Sequence, residues 1–137
     1  MKQKSMDRYV LDTSAVFVFL NREKGFARVK TLLENQSKDK QELYLSLLSL
    51  GEIYYILIRE VGEAEAASII AKIESLDLHI VEVDTTLTKT SAKIKAKGGL
   101  SFTDSLVIAT AIKYKAKVIT GDQEFKKFAK QVEIEWV

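Results

Sequence analysis

Apolar positions along the chain follow two rhythms. Short apolar runs at Tyr9–Leu11, Leu43–Leu45, His79–Val83, Lys117–Thr120 and Val132–Trp136 read as five strands. Between them lie longer segments with helical spacing. Ser14–Asn21 and Phe26–Asn35 are two, the second with Phe26, Val29, Leu32 and Leu33 on one face. Glu52–Glu60 is a third helix, broken by Gly62. Glu63–Leu76 carries an apolar stripe of Ala66, Ile69, Ile70 and Ile73. Thr86–Lys97 is amphipathic and stops at Gly98-Gly99, Phe102–Tyr114 is apolar enough to be buried, and Gln123–Ala129 is a short helix.

Strands separated by helices require crossover connections, hence parallel pairing. The expected fold is a three-layer α/β/α arrangement with a parallel, doubly wound sheet of about five strands, formed by one domain over residues 1–137. One segment fits awkwardly. Thr86–Lys97 leaves the third strand at the carboxyl edge of the sheet, yet the next helix must start at that edge, so Thr86–Lys97 is expected to lie across the domain.

Sheets of this kind bind ligands at the carboxyl ends of their strands. Four acids belong to that rim. Asp12 and Asp122 each follow a strand directly. Glu52 is read in the first turn of the helix after the second strand. Asp104 starts a helix that runs antiparallel to the strand after it. Each has a capping explanation: Asp12 and Asp122 as N-caps, Glu52 and Asp104 as the acids of Ser49-Leu-Gly-Glu52 and Ser101-Phe-Thr-Asp104 capping boxes. Together, four carboxylates on one rim would repel strongly without a cation. Oxygen ligands without His or Cys suit magnesium or manganese rather than zinc. A metal held this way serves phosphodiester hydrolysis, and helix N-termini favour anions in any case.

Composition narrows the chemistry further. With no cysteine, disulfides, zinc-thiolate sites and thiol nucleophiles are excluded. The one histidine, His79, reads as a partly buried strand residue rather than a triad member. Hydrophobic residues reach 47%, enough for a core, and no apolar run approaches the ~20 residues of a membrane span. The polar start, Met1 to Arg8, lacks a signal-peptide core, so a cytoplasmic protein is expected. The net charge is +2, but residues 89–130 hold ten lysines against three acids, a local +7 that leaves −5 elsewhere. Such a half suits a polyanion. Lys113, Lys115, Lys117, Lys126 and Lys127 are its candidates for contact. Apolar helices such as Phe26–Leu33 and Tyr54–Ile58 suit either a protein partner or packing on the sheet.

Four ordered stretches, Tyr9-Val-Leu-Asp-Thr-Ser-Ala15, Ser49-Leu-Gly-Glu52, Leu100-Ser-Phe-Thr-Asp-Ser-Leu-Val-Ile-Ala109 and Val118-Ile-Thr-Gly-Asp-Gln-Glu-Phe125, resemble the PIN domain, and within it the VapC toxin branch. The resemblance implies magnesium- or manganese-dependent RNA cleavage with acids at Asp12, Glu52, Asp104 and Asp122. It implies a supporting hydroxyl at Thr120, with Thr13 or Ser14 also lining the site. It further implies an RNA substrate, a small antitoxin partner and a homodimer. Other strand-end acid folds fit less well. A haloacid dehalogenase-type phosphotransferase needs a second acid where Ser14 stands, and a receiver domain needs adjacent acids where only Asp12 is found. No GxxxxGK[ST] loop occurs. The remaining alternative is a PIN-like module that binds RNA or protein without catalysis, and retention of all four acids argues against it.

Overall fold

The computed structural model describes residues 6–34 and 41–137. Two sequence expectations touch the remainder: Asn35, the last residue of the second expected helix, and most of the polar start both lie outside the described residues. The element order is β1 (Asp7–Leu11), α1 (Thr13–Leu20), α2 (Phe26–Glu34), β2 (Gln41–Ser46), α3 (Leu47–Val61), α4 (Glu63–Ser75), β3 (His79–Val81), α5 (Thr85–Ala96), α6 (Phe102–Tyr114), β4 (Lys117–Thr120), a 3-10 helix (Gln123–Phe128) and β5 (Ile134–Trp136).

The five strands form one sheet in the order β3-β2-β1-β4-β5, and every pair is parallel. Alternation along β1 explains the layering, because successive side chains point to opposite faces. Tyr9 and Leu11 join Leu43, Leu45 and Ile119 under α1 to α4. Val10 joins Tyr44 and Val118 under α5, α6 and the 3-10 helix. The fold is therefore the expected α/β arrangement with helices on both faces. Among the described residues, no helix is long and apolar enough to cross a membrane.

α6 begins with Ser101 accepting from the Asp104 N–H at 3.1 Å and ends in the left-handed residue Lys115 (φ 52). It buries an unbroken run from Ser105 to Ala111, which is why its sequence looks apolar on all sides.

Several expectations need correction. The helix carrying Glu52 starts at Leu47, with the Ser46 hydroxyl accepting from the Leu48 N–H at 3.3 Å. Ser49 is therefore no cap, and Glu52 lies in the second turn. The helical stripe of Ser49, Ile53 and Leu57, all buried, draws Ser49 into the helix. His79 opens the three-residue edge strand β3 with an exposed side chain, rather than sitting partly buried in a strand interior. β5 starts at Ile134, two residues later than its apolar run suggested, and the helix after Asp122 is 3-10. Finally, α5 does not lie across the domain. Its cap, Asp84, meets Lys113 in the last turn of α6 at 3.9 Å, so the two helices form an antiparallel pair. The short β3 and the residues 82–84 carry the chain to the far end of α6. α5 then runs back toward the carboxyl edge and packs mainly on α6. Of the apolar helix faces, Val29 and Leu32 in α2 and Ile53 and Leu57 in α3 are buried in the core, while Tyr55 stays exposed.

Candidate functional site

The first acid is set by β1 and α1 together. Asp12 follows β1 directly and caps α1, and it is 2% exposed. One carboxylate oxygen accepts from the Ala15 N–H and from the Ser14 hydroxyl, both at 2.8 Å. The other accepts from the Thr120 hydroxyl at 2.5 Å. Thr120 ends β4, the strand beside β1, so the link joins the carboxyl ends of two neighbouring strands. Ser14 extends it by accepting from the Gly121 N–H at 3.0 Å, and the Thr120 hydroxyl accepts from the Asp122 N–H at 2.9 Å.

Asp122 caps the 3-10 helix through the Glu124 N–H at 2.9 Å. That turn brings in a residue not singled out from the sequence. Carboxylate oxygens of Asp104, Asp122 and Glu124 all lie within 4.8 Å of one another. The signal for Glu124 was present as a second acid two residues after Asp122, inside the turn that Asp122 caps. Asp12 and Glu52 are not part of this trio, but their charges reach it, since both raise the pKa of Asp104. Two of the four expected capping roles, those of Asp12 and Asp122, thus coexist with clustering; of the Ser101–Asp104 capping box the structure shows the bond from the Asp104 N–H to the Ser101 hydroxyl. The buried Thr13 hydroxyl, next to Asp12, has no hydrogen-bond partner among the described residues.

Burial and repulsion show in the protonation of two members. Asp12 is raised from 3.8 to about 6, chiefly by burial. The hydrogen bonds from Thr120, Ala15 and Ser14 oppose the rise, and the charge of Asp122 adds to it. Asp104 is raised to about 6 by burial and then by Asp12, Asp122 and Glu52, against the bond from Ser101. A folded pKa above the unfolded value means that the folded state keeps a proton the unfolded chain has lost. The penalty of these charges is thus full above pH ~6 and fades as the pH falls toward ~4. In EDTA, the urea midpoint is expected to rise from about pH 7 to about pH 5. A midpoint that falls steadily over that range would mean these carboxylates are stabilised, not strained, by folding.

The lysines divide between the two ends of the sheet. Lys113 and Lys115 close α6, and Lys117 opens β4, so these three lie at the amino edge, away from the acids. Lys126 and Lys127 belong to the 3-10 helix after β4 and lie at the carboxyl edge.

A family model described as the PIN domain matches residues 9–131, a span that contains all five acids. A comparison with curated proteins gives no match. Among solved structures, the DNA-bound VapBC of Salmonella typhimurium matches with a TM-score of 0.74 and 19% identity, covering 95% of this chain and 98% of the other. VapBC2 of Rickettsia felis, bound to a DNA fragment from its promoter, matches with a TM-score of 0.72 and 18% identity, at 95% and 98% coverage. VapC20 of Mycobacterium tuberculosis, a toxin that cleaves the sarcin-ricin loop, matches with a TM-score of 0.70 and 19% identity, at 87% and 93% coverage.

Proposed function

The chain belongs to the PIN-domain family, whose model spans residues 9–131, and from that premise we propose that it is a divalent-metal-dependent ribonuclease, the toxin of a VapBC-type pair. The observation that carries this reading is the gathering of the Asp104, Asp122 and Glu124 carboxylates within 4.8 Å, with Asp12 and Glu52 close enough to raise Asp104.

The donor set fits a hard cation. Every candidate ligand is a carboxylate oxygen, which suits magnesium or manganese. Asp104, Asp122 and Glu124 would hold it, with Asp12 and Glu52 beside them. When bound, such an ion lowers the pKa of the attacking water and neutralises charge building on the phosphate. The chain's own residues do the rest. Ala15 and Ser14 fix one oxygen of Asp12 and Thr120 the other, which holds the carboxylate plane in one orientation. Ser101 anchors the first turn of α6 and thereby places Asp104 opposite Asp122. The N-terminal ends of α1 and α6 favour the negative charge collected there.

Toxin–antitoxin assemblies among the matching folds support a small antitoxin as partner. A homodimer is the second assembly we propose. Exposed Leu47, Leu48 and Tyr55 along α3 leave apolar area for such contacts.

Incubation of purified protein with RNA tests the activity. Cleavage is expected with magnesium or manganese, none in EDTA, and recovery when manganese is restored. RNA bound without cleavage under any of these metals would instead support a non-catalytic PIN-like module.

A further inference from the structure

We propose that the RNA strand approaches the acid cluster over the turn between α5 and α6, with Lys97 and Lys127 gripping its backbone phosphates. The inference rests on the ribonuclease reading and names the substrate path at that site.

An acid cluster repels the polyanion it is to cut, so cations must stand beside it on the side from which the strand arrives. The structure places them on one flank. The 3-10 helix comes close to the α5–α6 segment: a Glu124 carboxylate oxygen lies within 4.8 Å of one on Asp104, and Lys127 lies on Gly99. Gly99 has φ +92, and a Cβ there would sit 2.8 Å from the Lys127 Nζ and 2.9 Å from its Cδ. The lysine stem is therefore laid along the bare backbone of the turn, a position that only glycine leaves open. The ammonium lies there with no ion pair to neutralise it among the described residues. Among the described residues, neither Lys127 nor Lys97 has a carboxylate within 4.0 Å. Lys97 caps α5 immediately before the two glycines, and exposed Lys93, one turn earlier on the same helix face, continues the basic line. At the amino edge Lys115 is likewise without a carboxylate within 4.0 Å among the described residues, but the lysines on either side of it are paired. Lys113 is paired with Asp84 at 3.9 Å and Lys117 with Glu133 at 3.7 Å. These two are partly neutralised and lie at the wrong end of the sheet.

The test compares two double variants. One carries Lys97→Gln with Lys127→Gln, and the other Lys113→Gln with Lys117→Gln. Binding of a labelled single-stranded RNA is titrated against salt in the Asp12→Asn background, where no strand is cut. Each lost phosphate contact flattens the logarithmic salt slope by about 0.7, so the first pair is expected to flatten it by about 1.4. Its Kd is expected to rise about tenfold at low salt, a loss set by two phosphate contacts, while the second pair stays within about twofold of its parent. In the wild-type background the first pair is expected to raise KM with kcat nearly kept. Equal losses from both pairs, or a larger loss from the second, would overturn the path. Cleavage by the wild type combined with unchanged binding in the first pair would overturn the path alone. Absence of cleavage by the wild type with any divalent metal would remove the ribonuclease reading, and the path with it.

Discussion

Asp12→Asn is expected to reduce RNA cleavage at least ~100-fold while leaving the fold intact, because it removes a charge beside the proposed metal site and keeps a helix cap. Asn is among the best N-cap residues, so its side-chain oxygen can still accept from the Ala15 N–H that Asp12 holds at 2.8 Å. The Thr120 hydroxyl, which donates to Asp12, can rotate to suit the new amide. The substitution also relieves the burial of a charge. With a pKa moved from 3.8 to about 6, the ionised carboxyl costs about 3 kcal/mol in its pocket. Far-UV circular dichroism is therefore expected to match the wild type, and stability in EDTA to be equal or higher. The decisive measurement is cleavage rate at saturating manganese. Retention of wild-type activity would show that the cut is made elsewhere or by a contaminant.

Asp104→Asn separates the cluster's electrostatics from its architecture. Burial and the charges of Asp12, Asp122 and Glu52 all press against the ionised form of Asp104. Removal of one charge should relax that strain, while the cap bond from the Asp104 N–H to Ser101 belongs to the backbone and survives. Asp104 is only partly buried, so solvent screening reduces the gain, and a rise of about 2–5 °C in the EDTA melting temperature is expected. Saturating manganese should narrow or reverse the difference, since only the intact cluster gains stability from tight binding. Four melts settle it: wild type and variant, each with EDTA and with manganese. A variant that melts well below wild type in EDTA would make Asp104 mainly a structural residue of the first turn of α6.

Most of the fold was legible because its signals are local. Five apolar runs named five strands. Ser101 and the Gly98-Gly99 break bounded α6 at its start, and Phe102–Tyr114 holds as expected. Errors arose where two local readings competed. Ser49 reads as the cap of α3, but Ser46 caps it, and the buried stripe of Ser49, Ile53 and Leu57 carries Ser49 inside the helix. His79 was misplaced because its apolar neighbours do not reveal that β3 is a three-residue edge strand. Four acids could be put on one rim from strand and helix order. Glu124 could not, since its approach to Asp104 depends on a tertiary contact between the 3-10 helix and α6. Thr120 came only from the family resemblance, as a threonine ending a strand is ordinary until Asp12 is seen beside it. The position of Lys117 at the start of a strand already implied the amino edge, so that lysine could have been set aside by the rule that located the acids.

The bond between Asp12 and Thr120 spans 108 positions in the chain. β1 lies between β2 and β4, and the Asp12 N–H itself donates to the Ile119 carbonyl at 3.2 Å. During synthesis, Asp12 leaves the ribosome more than a hundred residues before its partners on β4. Until then β1 has an open edge, and Asp12 lacks both Thr120 and the neighbouring Asp122. The nascent chain therefore carries an incomplete acid cluster while those residues are added. Completion of the acid cluster, like the long-range pairing it requires, is deferred until nearly the whole domain can fold.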